Sequence, residues 1–338
     1  MGGSKRGGAS AGKRPTIVDV ARQAEVSPAA VSKVLRNAYG VSEQMHARVS
    51  AAVEALGYRP MVSARGMRMR TRTLGVSSLN VENPFVNMLL DGVAREAKRS
   101  HYSALIVLSD EDGLTQVEAA KSMVDRQMDG LILITPTMSV ADLEALARDV
   151  PLVLLGRHGQ GEGYDSVGSD DARGAEMVVE HLVAQGHERI VFHTQEVDTT
   201  GLPETAREQG YRAAMERHGL HPDVVRGEWT LAGGERLAVE LMKRDRRPTA
   251  VHAGADIAAL GVLSWMWRHG LRAPGDLAVA ACDDIPTSDL PPISLTSIDQ
   301  DAIEMGSLAT RMLIERIEGR EESRHVRVPP RLRVRDSA

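Results

Sequence analysis

Apolar residues recur at helical spacing in three short sets near the start of the chain. They are Ile17, Val20, Ala21 and Ala24, then Val31, Val34 and Leu35, then Met45, Val49, Val53 and Leu56. Each set stripes one face of a helix. The boundaries carry their own signals. Thr16, three residues before Asp19, predicts an N-cap with a capping box. Ser27 precedes Pro28, whose missing N–H costs nothing at the first helical position. Ser42 caps the third helix and Gly57 closes it. Only Glu25-Val26 is left as a turn between the first two helices. Two short helices on a tight turn, braced by a third, predict a helix-turn-helix unit over residues 15–60. The first turn of its second helix enters the major groove. That presents Pro28, Ala29, Ser32 and Lys33 to DNA, with Lys33 suited to guanine edges or phosphate and Pro28 and Ala29 to thymine methyls. The helix pattern alone also fits a structural bundle with no DNA partner.

From residue 74 the pattern changes. Apolar runs at 74–79, 104–108, 130–134 and 151–155 alternate with amphipathic stretches at 86–99, 114–127 and 139–148. A second series follows, with helices at 172–185, 204–218, 232–244 and 256–269 and strands at 189–193, 249–252 and 277–281. Continuous apolar strands between helices predict parallel sheets covered on both faces. Two series of similar size predict two doubly wound lobes, whose ligands bind beyond the carboxyl ends of the strands. The predicted organisation is a flexible basic arm (1–14), the three-helix head (15–60), a hinge (61–73), a two-lobed core (74–330) and a tail (331–338). The tail shows no leucine heptad.

Charge favours the DNA-binding reading of the head over the structural bundle. The whole chain has a formal net charge of −5. Residues 1–73, however, hold 13 Lys and Arg against 4 Asp and Glu, and the remainder 28 against 42. A basic head on an acidic body is the distribution of a chain that meets phosphate at one end only. The single cysteine, Cys282, rules out an intrachain disulfide and a four-cysteine zinc site. No secretory signal pattern opens the chain and no run of eighteen apolar residues occurs, so a cytoplasmic protein without a membrane span is expected. Enzyme signatures are missing too. The loop Gly156–Gly163 has glycines at alternate positions but opens no helix directly, so it does not fit a dinucleotide site. There is no phosphate loop, no Gly-x-Ser-x-Gly and no metal-ligand spacing among the histidines. No enzyme activity and no cofactor are expected.

The stretches Thr16-Ile17-Val18-Asp19-Val20-Ala21, Val26-Ser27-Pro28-Ala29-Ala30-Val31-Ser32-Lys33-Val34-Leu35 and Leu56-Gly57-Tyr58-Arg59-Pro60 closely resemble the head of the lactose-repressor/galactose-repressor family. The core resembles that family's periplasmic-sugar-binding-like core (type I). Its markers are Asn83-Pro84-Phe85, Gly168-Ser169-Asp170-Asp171, Arg207-x-x-Gly210-Tyr211, Asp256-x-x-Ala259-x-Gly261 and Asp283-Asp284. The resemblance implies a homodimeric transcriptional repressor that binds near-palindromic double-stranded operator DNA and a small effector, a sugar. It implies a hinge that folds into a helix on DNA and wedges a side chain into the minor groove, with Met67 as the lever and Ala64 beside it. The full DNA-facing set is then Thr16, Ser27, Pro28, Ala29, Ser32, Lys33, Arg36 and Tyr58 in the head, and Ala64, Arg65 and Met67 in the hinge. The implied effector set is Phe85 and Trp229 for stacking, Arg207 and Asp283 for hydroxyls, and Arg157, Asp171 and Asp256 along the cleft. Four positions depart from the family, among them Ala302, which lacks the bulk some relatives show there. Glu25 stands where a turn glycine is usual, at a cost of about 1 kcal/mol if its φ is positive. Ala30 replaces a common threonine, and Ala255 replaces an asparagine that often bonds the ligand. A periplasmic sugar receptor and a cytosolic α/β enzyme are the rival classes; the basic head argues against the first and the missing signatures against the second.

Overall fold

The computed structural model describes residues 15–35, 39–58, 70–78, 82–109, 113–159, 161–196 and 201–338. They form two compact units, Met1–Thr71 and Arg72–Ala338. In the first, α1 (Ile17–Gln23), α2 (Pro28–Leu35) and α3 (Glu43–Leu56) enclose a core of Val20, Ala21, Ala24, Val31, Val34, Val49, Ala52 and Tyr58. The capping signals act as expected. Thr16 and Asp19 form a reciprocal capping box, Ser42 accepts from the Met45 N–H, and Gly57 ends α3 in the left-handed conformation.

The second unit is an α/β fold of two lobes. Lobe 1 holds β1 (Thr73–Ser78), α4 (Pro84–Arg99), β2 (Ser103–Leu108), α5 (Gly113–Asp125), β3 (Gly130–Ile134), α6 (Val140–Asp149), β4 (Leu152–Leu155) and β5 (Asp165–Ser169). Lobe 2 holds α7 (Asp171–Ala184), β6 (Ile190–Thr194), α8 (Pro203–Arg217), β7 (Asp223–Arg226), α9 (Leu231–Lys243), β8 (Ala250–Ala253), α10 (Asp256–Arg268), β9 (Ala278–Cys282) and β10 (Thr296–Asp299). The chain then returns to lobe 1 for α11 (Ala302–Ile317) and β11 (His325–Val328), and crosses last to β12 (Arg331–Arg333). The sheet orders are β11-β5-β4-β3-β1-β2 and β12-β10-β9-β8-β6-β7, parallel except where β12 runs against β10. Alternate residues serve opposite faces, as the pleat requires. Ile132 and Ile134 of β3 enter one core of lobe 1, and Leu131 and Leu133 enter the other. Phe192 and Val191 of β6 divide in the same way in lobe 2.

Each element expected from the hydrophobic pattern of the core appears within two residues at either end; Leu79 lies outside the described residues. Sequence reasoning missed β5, β7, β10, α11 and β11. It also set residues 331–338 apart as a tail. They are instead structural: Leu332 of β12 pairs with Ile298, and Ser337 is buried, donating to the Val279 carbonyl at 2.6 Å and accepting from the Thr296 N–H at 2.8 Å.

Candidate functional site

In the head, Pro28, Ala29 and Lys33 are exposed on α2 and Ser32 is half-exposed, while Val31 and Val34 point inward. Ser27 caps this helix, accepting from the Ala30 N–H at 3.1 Å. Thr16 is exposed, and its hydroxyl is engaged with Asp19 at 2.6 Å. Tyr58 corrects the expectation. It is buried among the valines of the three-helix core, so its ring packs the head together instead of standing exposed. Arg36, Ala64, Arg65 and Met67 lie outside the described residues.

The second site lies where the lobes meet. Arg207, on α8, is buried and held in three directions. Its Nε donates to Asp171 at 2.8 Å, one Nη to the Gly254 carbonyl at 2.6 Å and the other to Gln300 at 3.2 Å. Gln300 in turn donates to Asp283 at 2.9 Å. Asp171 and Gln300 stand at two of the three interlobe crossings, so the network is anchored where the lobes join. His158, in the lobe 1 loop after β4, completes it. Its ring Nε2 lies 2.9 Å from Asp171, and its backbone N–H donates across to the Gly201 carbonyl of lobe 2 at 2.8 Å. The indole of Trp229 lies over Gly254, where a Cβ would come within 2.4 Å of the ring, and the Arg207 guanidinium is 5.2 Å from a Trp229 ring centroid. Phe85, second residue of α4, is largely buried in an apolar cluster that Ile285 of lobe 2 also joins.

The charges follow from this packing. Burial works against ionisation of Asp171, but Arg207 and His158 overcome it and hold the carboxyl below the usual range. Burial also opposes the Arg207 charge; the acidic groups around it, with Asp171 bonded to its Nε, outweigh it and raise its proton affinity. Asp283 goes the other way, pushed well up by burial despite Arg207. Its backbone has φ +133°, and that of Asp284 +48°, so the carboxyl end of β9 is strained at this site. Buried histidines line the lobe 2 sheet. Burial lowers His193 to about 4 and His252 to about 3, so both rings are neutral at pH 7. The Thr194 hydroxyl, the Trp229 indole N–H and both His193 nitrogens find no hydrogen-bond partner. Buried polar atoms are almost always satisfied, so these atoms are exceptions in lobe 2.

Of the expected effector residues, Arg207, Asp171, Asp283 and Trp229 therefore come together, with Phe85 at the lobe junction. Two do not join them. Asp256 is fully buried inside lobe 2, accepting from the Ser288 and Ser297 hydroxyls and from the Ile285 N–H at 2.9 Å. It sits at the first residue of α10, and the turn after β9 together with Ser297 of β10 consumes its acceptors. Arg157 is turned into lobe 1, where it donates to the carbonyls of Pro136 at 2.9 Å and Met138 at 2.6 Å. Its neighbour His158 reaches the cleft instead; a loop has no period from which to choose between them. Gln300, His193 and Thr194 were also missed. Each closes a strand of lobe 2 or follows one directly, and position at a strand's carboxyl end was the available signal. Among the described residues no cluster of His, Cys, Asp or Glu could hold a metal ion.

Comparison with known proteins bears on both sites. Residues 16–61 match the family model "Bacterial regulatory proteins, lacI family", and residues 179–338 match that of a "Periplasmic binding protein-like domain". The ribose operon repressor of Escherichia coli (strain K12) is 33% identical over 308 residues, 89% of this chain and 93% of that protein. The structure of the lac repressor dimer bound to operator and the anti-inducer ONPF superposes with a TM-score of 0.80 at 25% identity, over 96% of this chain and 99% of that one. A complex of the transcriptional regulator CelR with cellobiose gives a TM-score of 0.72 at 26% identity, over 96% of this chain and all of that one.

Proposed function

Since this chain belongs to the lacI family of bacterial regulatory proteins, we propose that it is a sequence-specific repressor whose operator affinity is set by a sugar bound between its two core lobes. The interlobe network centred on Arg207 carries this reading. Polar side chains from both lobes and from two crossings meet at one buried point, beside an indole face and unpartnered polar atoms. Neutral imidazoles, a fixed guanidinium and a carboxylate suit a ligand rich in hydroxyls, and the indole suits the apolar face of a sugar ring. Relatives named for ribose and cellobiose support that ligand class.

The protein acts in the cytoplasm as a homodimer, and each head reads half of a near-palindromic site. The sheet edge at β2 fits a self-contact: Leu105, Ile106 and Leu108 are at least half exposed, as is Leu114 beyond it. An apolar edge strand of this kind calls for a cover. Ligand changes the angle between the lobes, which moves the hinge between ordered and disordered states and releases DNA. The test is titration of labelled fragments from upstream of the gene and its neighbours, with and without a panel of pentoses, hexoses and disaccharides. Tight, salt-sensitive binding to one palindrome, weakened by one sugar, is expected. Operator affinity that no sugar changes would refute sugar control.

A further inference from the structure

The turn between α1 and α2 is strained and is held from outside. Glu25 has φ +52°, a left-handed conformation that side chains other than glycine rarely adopt. Ala24 and Glu25 follow the last turn of α1, so their carbonyls have no succeeding helical N–H to accept from. Arg48, from the middle of α3, supplies the donor. Its Nη2 donates to both the Ala24 and the Glu25 carbonyls, the latter at 3.1 Å, and lies 3.5 Å from the Glu25 carboxylate. A cation at a helix C-terminus also opposes the dipole there. The carboxylate contact counts for little, because the Glu25 side chain is 86% exposed. The two carbonyl bonds are the substance of the clamp.

We propose that Arg48 is a positioning residue for DNA reading: by clamping the strained turn from α3 it fixes the angle at which α2 presents Pro28, Ala29 and Lys33. The inference rests on the head being a sequence reader. Within the head, the residues that would touch bases are all on α2, and the turn 24–27 is α2's covalent link to α1. If the turn opens, α2 still forms, because its own cap is Ser27 and its inner face is Val31 and Val34. It then lacks a single orientation. Specific contacts, which need geometry, are lost, whereas phosphate attraction, which needs charge, is kept.

The experiment uses the full-length chain and a duplex enriched by the wild-type protein from a randomised pool, with a shuffled duplex as control. Arg48→Ala is expected to weaken enriched-duplex binding about tenfold, leaving shuffled-duplex binding and the salt slope unchanged. Arg48→Lys, with one point charge in place of a planar fork, is expected to recover only part of the loss. Glu25→Gly relieves the strain that the clamp opposes, so in the Glu25→Gly background Arg48→Ala is expected to cost no more than about threefold. Hydrogen exchange of the 20–27 segment, which contains the Val26 N–H bonded to the Ala21 carbonyl, is expected to quicken in Arg48→Ala. An equal loss on both duplexes with a shallower salt slope would make Arg48 a phosphate contact and overturn the proposal. So would an unchanged ratio, or unchanged exchange. If the wild-type protein enriches no duplex, the sequence-reading function fails, and the exchange measurement alone still decides the clamp.

Discussion

Arg207 is the residue on which the cleft turns, and its burial makes its removal costly in a specific way. Arg207→Ala strips Asp171 of its strongest partner while leaving that carboxyl buried. Breaking such a pair costs about 3–5 kcal/mol. The expected result is a large fall in the denaturation midpoint together with loss of sugar response. Adding Asp171→Asn removes the stranded charge and is expected to restore much of the stability without the response, a split that chemical denaturation and ligand titration read separately. Asp256 has a different part. Burial pushes its carboxyl up to about 7 against the donors from Ser288, Ser297 and the Ile285 N–H. A carboxyl raised on folding binds its proton more tightly in the native state. Its contribution is therefore present in acid and is lost as pH rises from about 4 to about 7. His193 and His252, lowered on folding, work in the opposite sense: the unfolded chain takes up their protons first, so they favour the native state as pH rises through that window. Asp256→Asn is expected to leave the histidines less opposed, making stability climb more steeply between pH 4 and 6.5. Urea midpoints across that range check the slope, and an unchanged slope would refute the assignment. Arg207, Asp171 and Asp283 were reached through the family resemblance of the motifs that hold them. The diversion of Asp256 was not legible, because Ser288 and Ser297 lie more than thirty residues away in sequence and only the fold returns them.

Among the elements, glycines decide how closely the helices approach. A Cβ on Gly92 of α4 would stand 2.0 Å from the Ile303 carbonyl oxygen of α11, and one on Gly306 of α11 2.1 Å from that of Leu89. Gly210 of α8 meets the Ala172 carbonyl of α7 in the same way, and Gly234 of α9 and Gly261 of α10 meet each other. The obstacle is backbone in every case, which cannot swing aside. Gly210→Ala is expected to cost about 1–3 kcal/mol as an overpacked contact, seen as a lowered melting temperature with the DNA-binding ratio untouched. Two glycines of the sequence markers, those after Arg207 and Asp256, are thus explained by packing and not by ligand. The missed elements share a physical cause as well. β5 reads Asp-Ser-Val-Gly-Ser and offers one apolar side chain, yet all five residues are buried. Its Asp165 is fully buried because Arg316 at 3.2 Å, Arg320 and the Arg324 N–H at 2.9 Å converge on it from α11 and the segment after it. A strand satisfied by a helix some 150 residues away leaves no hydrophobic signature. The apolar strands β3 and β4, whose side chains fill both cores of lobe 1, were legible from pattern alone.

At the scale of the molecule, the charge asymmetry and the change of period from helical stripes to strand runs fall near the same place, and the compact units divide between Thr71 and Arg72. Each unit has its own core: one small cluster in the head, four larger ones beyond. A head with eight buried apolar side chains has little stability to spare, whereas the lobes bury whole strands. Unfolding in two steps follows, the head first. Linkage assigns ligands to steps, since a ligand stabilises only the unit that binds it, by about 2.7 kcal/mol at a hundredfold excess over Kd. The cognate sugar is therefore expected to raise the later calorimetric transition and leave the earlier one in place, and operator DNA to raise the earlier one. If ligand and DNA are antagonists, the sugar must shrink the rise that DNA gives the earlier transition, whereas the later one, which starts from a head already unfolded and free of DNA, keeps the sugar's full shift. Additive shifts would mean two independent binding sites on one chain, and the lobes would then hold a sugar without governing the head.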